Sequence, residues 1–182
     1  MQEKTLLQVE NLNTYFKVLD QELHAVRGLD LAVREGEILG IVGESGSGKS
    51  VTMKSIIRML PKTARVTAGR ISFAGEELLK KSEEEMRRLR GNAVTMIFQD
   101  PMTSLNPLKT VGFHIMEVLR RHRGLPGPQA RAEALALLDK VGVPSPRERL
   151  DQYPHEFSGG MRQRVLIAMA LACRPRLLIA DE

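Results

Sequence analysis

The spacing of apolar residues along the chain changes repeatedly, and the changes divide it into predicted strands and helices. Apolar and polar residues alternate loosely at 5–10 and 25–33, with turn-prone residues at 11–13 between them, which predicts two half-buried strands. Shorter apolar runs predict further strands at 37–42, 70–74, 93–98 and 176–182. The helical period and flanking charges predict helices at 51–60, 76–90, 111–121, 129–141 and 161–173.

This alternation of strands and helices predicts the fold class. Strands that alternate with helices along a chain are typical of an α/β fold. The stretch 101–160 is nearly all helical by the same reading, which indicates a helical subdomain inserted into the α/β core. The charge-dense stretch 76–90 is interpreted as the solvated face of a helix.

Composition narrows the class of protein without naming a function. The 182 residues are 42% hydrophobic and 27% charged, as in a soluble globular protein. The net charge of +5 is mild and scattered, so it permits nucleic acid but does not indicate it. Cys173 is the one cysteine, which excludes an internal disulfide and is interpreted as a small core residue. With no signal peptide and no long apolar run, a reducing, cytoplasmic setting is expected.

The strongest chemical signal is a glycine-rich turn between a predicted strand and a predicted helix. Its residues are Gly43, Glu44, Ser45, Gly46, Ser47, Gly48, Lys49 and Ser50. A glycine, four residues and then Gly-Lys-Ser is the spacing of a phosphate-binding P-loop, in which backbone N–H groups and a helix N-terminus surround a phosphate. Lys49 is then expected to reach the β- and γ-phosphates, and the Ser50 hydroxyl to ligate Mg²⁺.

Two carboxylates follow the last predicted strand. Asp181 and Glu182 match a Walker B element, because a buried parallel strand carries its functional residues at its carboxyl end. Asp181 is expected to hold Mg²⁺ through water, and Glu182 to polarise the attacking water. Gln99, at the end of another predicted strand, is a candidate to contact Mg²⁺ or that water.

A second anion site is predicted where Ser158, Gly159 and Gly160 precede a helix. Taken alone, the three residues are better explained as an ordinary N-cap followed by two turn glycines. Together with the P-loop and the Walker B strand, they suggest a nucleotide held from two sides.

These motifs, in this order and spacing, resemble the ATP-binding subunit of an ABC transporter. The resemblance covers the whole chain and narrows to the importers of dipeptides, oligopeptides and nickel. Three long segments carry this narrower resemblance: IVGESGSGKS at 41–50, IFQDPMTSLNP at 97–107 and YPHEFSGGMRQR at 153–164.

The resemblance implies a P-loop NTPase (RecA-like) core with an N-terminal antiparallel β subdomain and an inserted α-helical subdomain. Residues 1–182 would form a single nucleotide-binding domain. Its parts would be 1–100 (β subdomain and first part of the core), 101–160 (helical subdomain) and 161–182 (signature helix and Walker B strand). The family's D-loop, switch histidine and C-terminal extension are expected beyond Glu182, so the cassette is expected to be C-terminally truncated.

The resemblance also implies roles for individual residues. Phe16, or its neighbour Tyr15, would stack on adenine. Gln99 would couple the site to a transmembrane partner. The nucleotide-binding set would be Phe16, Tyr15, Gly43, Glu44, Ser45, Gly46, Ser47, Gly48, Lys49, Ser50, Val51, Gln99, Ser158, Gly159 and Gly160. The catalytic set would be Glu182, Gln99 and Lys49, and the Mg²⁺ donors would be Ser50, Gln99 and Asp181.

The partners implied are those of a membrane importer. Ser158, Gly159 and Gly160 would contact the γ-phosphate held by a second ABC ATPase subunit, expected to be a paralogue, in a head-to-tail dimer. Transmembrane permease subunits would contact the surface around 102–117, and an extracytoplasmic solute-binding protein would act indirectly. The protein would lie peripherally on the cytoplasmic face of the membrane.

The function expected on this basis is hydrolysis of ATP to power import of dipeptides or oligopeptides. Nickel or another small solute is an alternative cargo, and a nucleotide-binding fragment without turnover is an alternative activity. A soluble ABC ATPase acting on DNA or ribosomes is disfavoured, because no long coiled coil, zinc module or basic linker lies between Gln99 and Ser158. No nucleic-acid partner is therefore expected.

Overall fold

The computed structural model describes residues 4–98 and 104–181, and the chain divides into two compact units, Met1–Arg87 and Arg88–Glu182. Of the predicted site residues, Gln99 and Glu182 lie outside the described ranges.

The described part of the first unit is built on an antiparallel sheet of five strands in the order β2-β1-β4-β5, with β3 paired to β1. Its elements are β1 (Thr5–Val18), β2 (Gln21–Arg34), α1 (Lys49–Ile56), β3 (Ala64–Thr67), β4 (Arg70–Phe73) and β5 (Glu76–Glu77); α2 (Glu83–Leu89) spans the boundary between the units. The strands predicted at 5–10, 25–33 and 70–74 are confirmed, and the first two form one long hairpin.

The turn predicted at 11–13 is wrong, because β1 continues through it to Val18. Asn11 adopts a left-handed φ of 49°, and its backbone N–H donates to a carboxylate oxygen of Asp30 at 2.8 Å. The pairing of β1 with β2 shifts register there, so Asn11 forms an irregularity inside the strand. Asparagine is among the residues that most often adopt a left-handed φ.

The strand predicted at 37–42 is also wrong. Within the described part of its unit no segment pairs with these residues, and Ile38 and Val42 are 98% and 96% exposed. A run that is apolar on both faces predicts a central strand, but a strand forms only where neighbouring strands supply the ladder hydrogen bonds.

Helix α1 begins with Lys49 but ends at Ile56, before the predicted end near residue 60. Arg58 then takes a left-handed φ of 54°, and its guanidinium donates to the carbonyls of Leu78 and Lys81. These tertiary hydrogen bonds turn the chain before the proline that follows could end the helix.

The described part of the second unit packs helices beside a two-stranded parallel sheet. Its elements are β6 (Val94–Ile97), α3 (Val111–Arg123), α4 (Gly127–Lys140), α5 (Pro146–Arg149), a 3₁₀ turn (Pro154–Glu156), α6 (Gly159–Leu171) and β7 (Leu177–Ala180). The helices and strands predicted in this region are confirmed, with ends shifted by a few residues.

The core of the second unit lies among its helices. Apolar side chains recur at helical spacing, so one face of each helix turns inward. Ile115, Leu119, Leu138, Leu150 and Val165 are fully buried in this core. The Ser158 hydroxyl caps α6 by accepting from the Met161 N–H at 3.3 Å, and the Thr110 hydroxyl caps α3 in the same way. Among the described ranges, no helix combines the length and apolarity needed to cross a bilayer.

Candidate functional site

The P-loop is an exposed turn that leads directly into α1. Gly46 and Gly48 have φ values of +79° and +93°, a backbone region that residues other than glycine rarely adopt. The N-cap of α1 is Gly48, which offers no side-chain acceptor to the first turn. The first N–H groups of an α-helix have no acceptor within the helix. The loop therefore presents a helix N-terminus that a phosphate can approach.

The Lys49 ammonium folds back over the loop. Its Nζ donates to the carbonyl oxygens of Gly43 and Glu44 at 2.7 and 2.9 Å. An ammonium has three N–H groups, so these bonds use two of them. The positive charge is thus fixed above the same backbone that the predicted phosphate would contact.

Strand β2 packs against Gly48 at the end of the P-loop. A Cβ built on Gly48 would lie 2.8 Å from the Ala25 carbonyl oxygen and 3.8 Å from a methyl carbon of Val26. The pairing of β1 with β2 shifts between Thr14↔Val26 and Tyr15↔His24, which leaves Ala25 as the extra residue of a bulge. The bulge brings the Ala25 carbonyl against the loop, so Gly48 is required both for its φ and for space.

A buried pair of hydroxyls joins β1 to α1. Thr14 Oγ1 lies 2.8 Å from Ser55 Oγ, and both residues have no solvent exposure. Ser55 Oγ also lies 2.6 Å from the Val51 carbonyl, to which it donates its one proton. Thr14 must therefore be the donor to Ser55. The sequence carried no signal for this contact, because 41 residues separate the two side chains.

Tyr15 and Phe16 lie on opposite faces of the hairpin, and the structure gives them different surroundings. The Tyr15 ring stacks on His24 with centroids 4.1 Å apart, and the Arg65 guanidinium lies 4.3 Å from its centroid. Arg65 is held there by a 2.8 Å ion pair with Glu22, and the hydrogen bond raises its pKa. Both ring faces of Tyr15 are thus covered by side chains of neighbouring strands.

Phe16 follows on the face that carries Thr14, since residues two apart in a strand point to the same side. Its cross-strand neighbours are Leu23 on β2 and Ala64 on β3. Phe16 is half-buried, and Leu23 is 56% exposed. Of the two aromatic candidates, Phe16 has the face that is turned toward α1.

In the second unit, Ser158, Gly159 and Gly160 form an exposed helix N-terminus. The Ser158 oxygen accepts from Met161, which leaves its hydroxyl proton to donate. A Cβ built on Gly159 or Gly160 would meet nothing within 4 Å, and neither residue has a positive φ. Neither the backbone conformation nor packing within the described chain therefore requires glycine at these two positions.

The parallel strands β6 and β7 end side by side. Ile97 pairs with Ala180, and the Asp181 N–H donates to the Ile97 carbonyl at 3.0 Å. The side chains that follow the two strands therefore leave the sheet at the same edge. Asp181 occupies this edge, where the sequence places Gln99 and Glu182 as the next candidates.

Arg164, which the motif analysis did not single out, fixes α6 against α4. Its guanidinium donates to the carbonyls of Val141 and Gly142 at the end of α4. A Cβ on Gly142, whose φ is +74°, would lie 2.6 Å from this guanidinium. A contact between an arginine and the last carbonyls of a helix is favourable, and here it joins α6 to the end of α4.

The proposed donors for Mg²⁺ are chemically suitable. Ser50 supplies a hydroxyl and Asp181 a carboxylate, and Mg²⁺ prefers hard oxygen ligands of this kind with water or phosphate completing its shell. The donors lie in different units of the chain.

Comparisons with known proteins identify the family of the chain. The profile of the ABC transporter family matches residues 26–182. The dipeptide transport ATP-binding protein DppD of Bacillus subtilis is 53% identical over 178 residues, covering 97% of this chain and 53% of the relative. The oligopeptide transport ATP-binding protein OppD of Salmonella typhimurium is 51% identical, covering 97% and 52%. The chain thus spans about half the length of these curated relatives.

Solved structures give the same fold. The dimeric post-hydrolysis ATP-binding cassette MJ0796 bound to ADP and Pi superposes with a TM-score of 0.86 at 27% identity, covering 97% of this chain and 74% of that one. CbiO1 of Clostridium perfringens, part of the ABC transporter complex cbiONQ, gives a TM-score of 0.76 at 27% identity, covering 99% and 66%. The fold is that of an ABC ATPase cassette, and with a family match across most of its length the chain belongs to the ABC transporter family.

Proposed function

We propose that this chain binds MgATP and belongs to the ATP-hydrolysing subunit of an importer for dipeptides or oligopeptides. The observation that carries the proposal is the P-loop. Gly46 and Gly48 turn the backbone toward an uncapped helix N-terminus, and Lys49 holds its ammonium over the loop. A cation above converging N–H groups suits a nucleotide β-phosphate.

Separate residues of the first unit bind the phosphates and the base of the nucleotide. The loop residues Gly43 to Ser50 and the N–H of Val51 surround the phosphates, and Lys49 moves one N–H from its loop carbonyls to a phosphate oxygen. Phe16 stacks on adenine, because the faces of Tyr15 are already covered by His24 and Arg65. This assignment leaves Tyr15 a structural role.

Hydrolysis uses residues at the ends of β6 and β7. Mg²⁺ bound by Ser50, Gln99 and Asp181 would neutralise developing negative charge on the phosphates. Glu182 orients and polarises the attacking water as a general base, and Gln99 couples the site to the permease. The shared edge of the two strands supports this grouping.

The signature residues serve a second nucleotide-binding subunit. Ser158 keeps a hydroxyl proton to donate, and the space around Gly159 and Gly160 is open. Glycines that the fold does not require suit a surface that another molecule approaches closely. We assign this surface to the γ-phosphate bound by an opposing subunit, a paralogue, in a head-to-tail dimer.

The relatives' names support the transport assignment. DppD and OppD are named as dipeptide and oligopeptide transport ATP-binding proteins. By this proposal the subunit lies on the cytoplasmic face of the membrane, contacts permease subunits, and acts on cargo delivered by an extracytoplasmic solute-binding protein. Closure of two subunits around ATP would move the permease, and hydrolysis would reset it.

Phosphate release from MgATP by the chain assembled with its opposing subunit tests the proposal, with Glu182→Gln beside the wild type. We expect turnover that Glu182→Gln reduces at least a hundredfold while ATP binding persists. Equal turnover in both proteins would contradict the role of Glu182. Binding without turnover in the wild type would contradict hydrolysis by this chain and favour the nucleotide-binding fragment.

A further inference from the structure

The hairpin of β1 and β2 carries two rows of cross-strand neighbours near its tip. One row is His24, Tyr15 and Arg65, in which the His24 ring and the Arg65 guanidinium each contact the Tyr15 ring. The other row, on the opposite face, is Leu23, Phe16 and Ala64. Residues directly opposite in antiparallel strands have Cβ atoms about 4.5–5.5 Å apart, so Leu23 lies beside the Phe16 ring.

The row with Leu23 and Phe16 belongs to the nucleotide side of the hairpin. Thr14 lies on the same face and bonds to Ser55 of α1, the helix that opens from the P-loop. Alternation along β1 places Phe16 on that face and Tyr15 on the other. Leu23 shares the face of Phe16 because the two residues are paired.

The separation of this row from the P-loop matches the length of a nucleotide. Ala25 and Val26 touch the position of the Gly48 Cβ at 2.8 and 3.8 Å. Leu23 lies two to three residues nearer the hairpin tip, which is about 7–10 Å along a strand. A base joined through ribose to phosphates in the P-loop reaches across a comparable distance.

The exposed side chain of Leu23 offers an apolar surface to a ligand. A large apolar side chain that is 56% exposed beside a half-buried aromatic ring offers a surface that gains by burial. Ala64, the other neighbour of Phe16, is small and leaves the ring face accessible. We infer that Leu23 is a second base-contacting residue, packing along the adenine that stacks on Phe16; the inference rests on the ATP binding proposed above.

Calorimetric titration with MgATP and with inorganic tripolyphosphate tests this role. The two ligands share the phosphates, and only ATP carries a base. We expect Leu23→Ala to raise the Kd for ATP about five- to tenfold and to leave the Kd for tripolyphosphate unchanged. Leu23→Met, which keeps an apolar side chain of similar volume, restores the ATP affinity to within about twofold of the wild type.

Leu19→Ala is the matched control, because Leu19 is 89% exposed in the turn of the same hairpin but outside the row. It is expected to change neither Kd. An unchanged ATP affinity in Leu23→Ala overturns the inference. So does an equal loss for both ligands, since that result places the effect on the P-loop and not on the base. If the folded wild type binds tripolyphosphate and ATP equally, the base contact is absent. If it binds neither, the proposed function fails as well.

Discussion

Replacing Thr14 by Val and Ser55 by Ala, singly and together, measures the hydroxyl pair that joins β1 to the P-loop helix. The two oxygens lie 2.8 Å apart without solvent exposure. Because Ser55 donates its proton to the Val51 carbonyl, Thr14 donates and Ser55 accepts. Because of this direction, the two single substitutions should lower the free energy of unfolding by different amounts.

The inequality follows from which group is left without a partner. In Thr14→Val the Ser55 hydroxyl still donates to Val51, so the loss is one hydrogen bond, about 1 kcal/mol. In Ser55→Ala a buried Thr14 hydroxyl loses its acceptor, which costs about 1–3 kcal/mol, and the bond from Ser55 to the Val51 carbonyl is lost as well, about 1 kcal/mol. Better helix propensity offsets roughly 0.5 kcal/mol of this loss. The double variant removes donor and acceptor together, so it should lose less stability than the sum of the single changes.

The two tyrosines of the chain make a selective assay possible. The chain has no tryptophan and two tyrosines, Tyr15 beside Thr14 in the first unit and Tyr153 in the second. In a Tyr153→Phe background, tyrosine fluorescence during urea unfolding reports on the first unit alone. The slope of the transition should stay constant across the four proteins, which shows that the denatured state has not changed.

Two results would refute this account of the pair. If Thr14→Val loses more stability than Ser55→Ala, the direction of donation is reversed. If the two effects add to within about 0.3 kcal/mol, the bond contributes no coupling.

Three further predictions concern the loop, the signature and an ion pair. Gly48→Ala should lower stability by about 2–4 kcal/mol, since a Cβ there meets a carbonyl at 2.8 Å, while Gly46→Ala, with nothing within 4 Å, should lose only about 1 kcal/mol; urea unfolding separates them. Gly160→Ala should keep or raise the melting temperature, because the position is helical and open, yet reduce phosphate release at least tenfold, and full activity would refute its place at a phosphate. The 2.7 Å bond from Arg123 lowers the pKa of Glu133, so its stabilisation is present above the ordinary glutamate range near pH ~4.3 and is lost as the pH falls through the lower folded value. Glu133→Gln should therefore lower the melting temperature at pH 7 and leave it nearly unchanged near pH 2, and an equal drop at both pH values would contradict this.

Local signals in the sequence were enough to locate most of the helices and strands, although the helix predicted at 76–90 forms only as α2 (Glu83–Leu89), and β5 occupies Glu76–Glu77. The P-loop turn, the Ser158 cap and the parallel β7 all follow from spacing within a few residues of each motif. Where pairing decides the structure, the sequence failed. The apolar run 37–42 predicted a strand, but strand formation depends on neighbours that the pattern of one segment does not specify.

The same distinction applies to the site. Spacing identified Lys49 and the loop glycines, but the choice of Phe16 over its neighbour Tyr15 stayed open. Their difference depends on the cross-strand partners of Tyr15, which are His24 across the hairpin and Arg65 on β3, and strand pairing is not specified by local spacing. The Arg164 contact with the end of α4 is also long-range, and the spacing of residues within a motif does not predict such a contact.

Calorimetric titration of the chain with MgATP, comparing the wild type with Lys49→Ala and Lys54→Ala, tests the central claim most directly. The two lysines carry the same charge on the same helix, but only Lys49 lies over the P-loop carbonyls. Loss of a charge-assisted contact to phosphate should raise the Kd of Lys49→Ala at least tenfold, while Lys54→Ala binds as the wild type does. Equal ATP affinity in all three folded proteins, or no binding by the folded wild type, would contradict nucleotide binding at this loop.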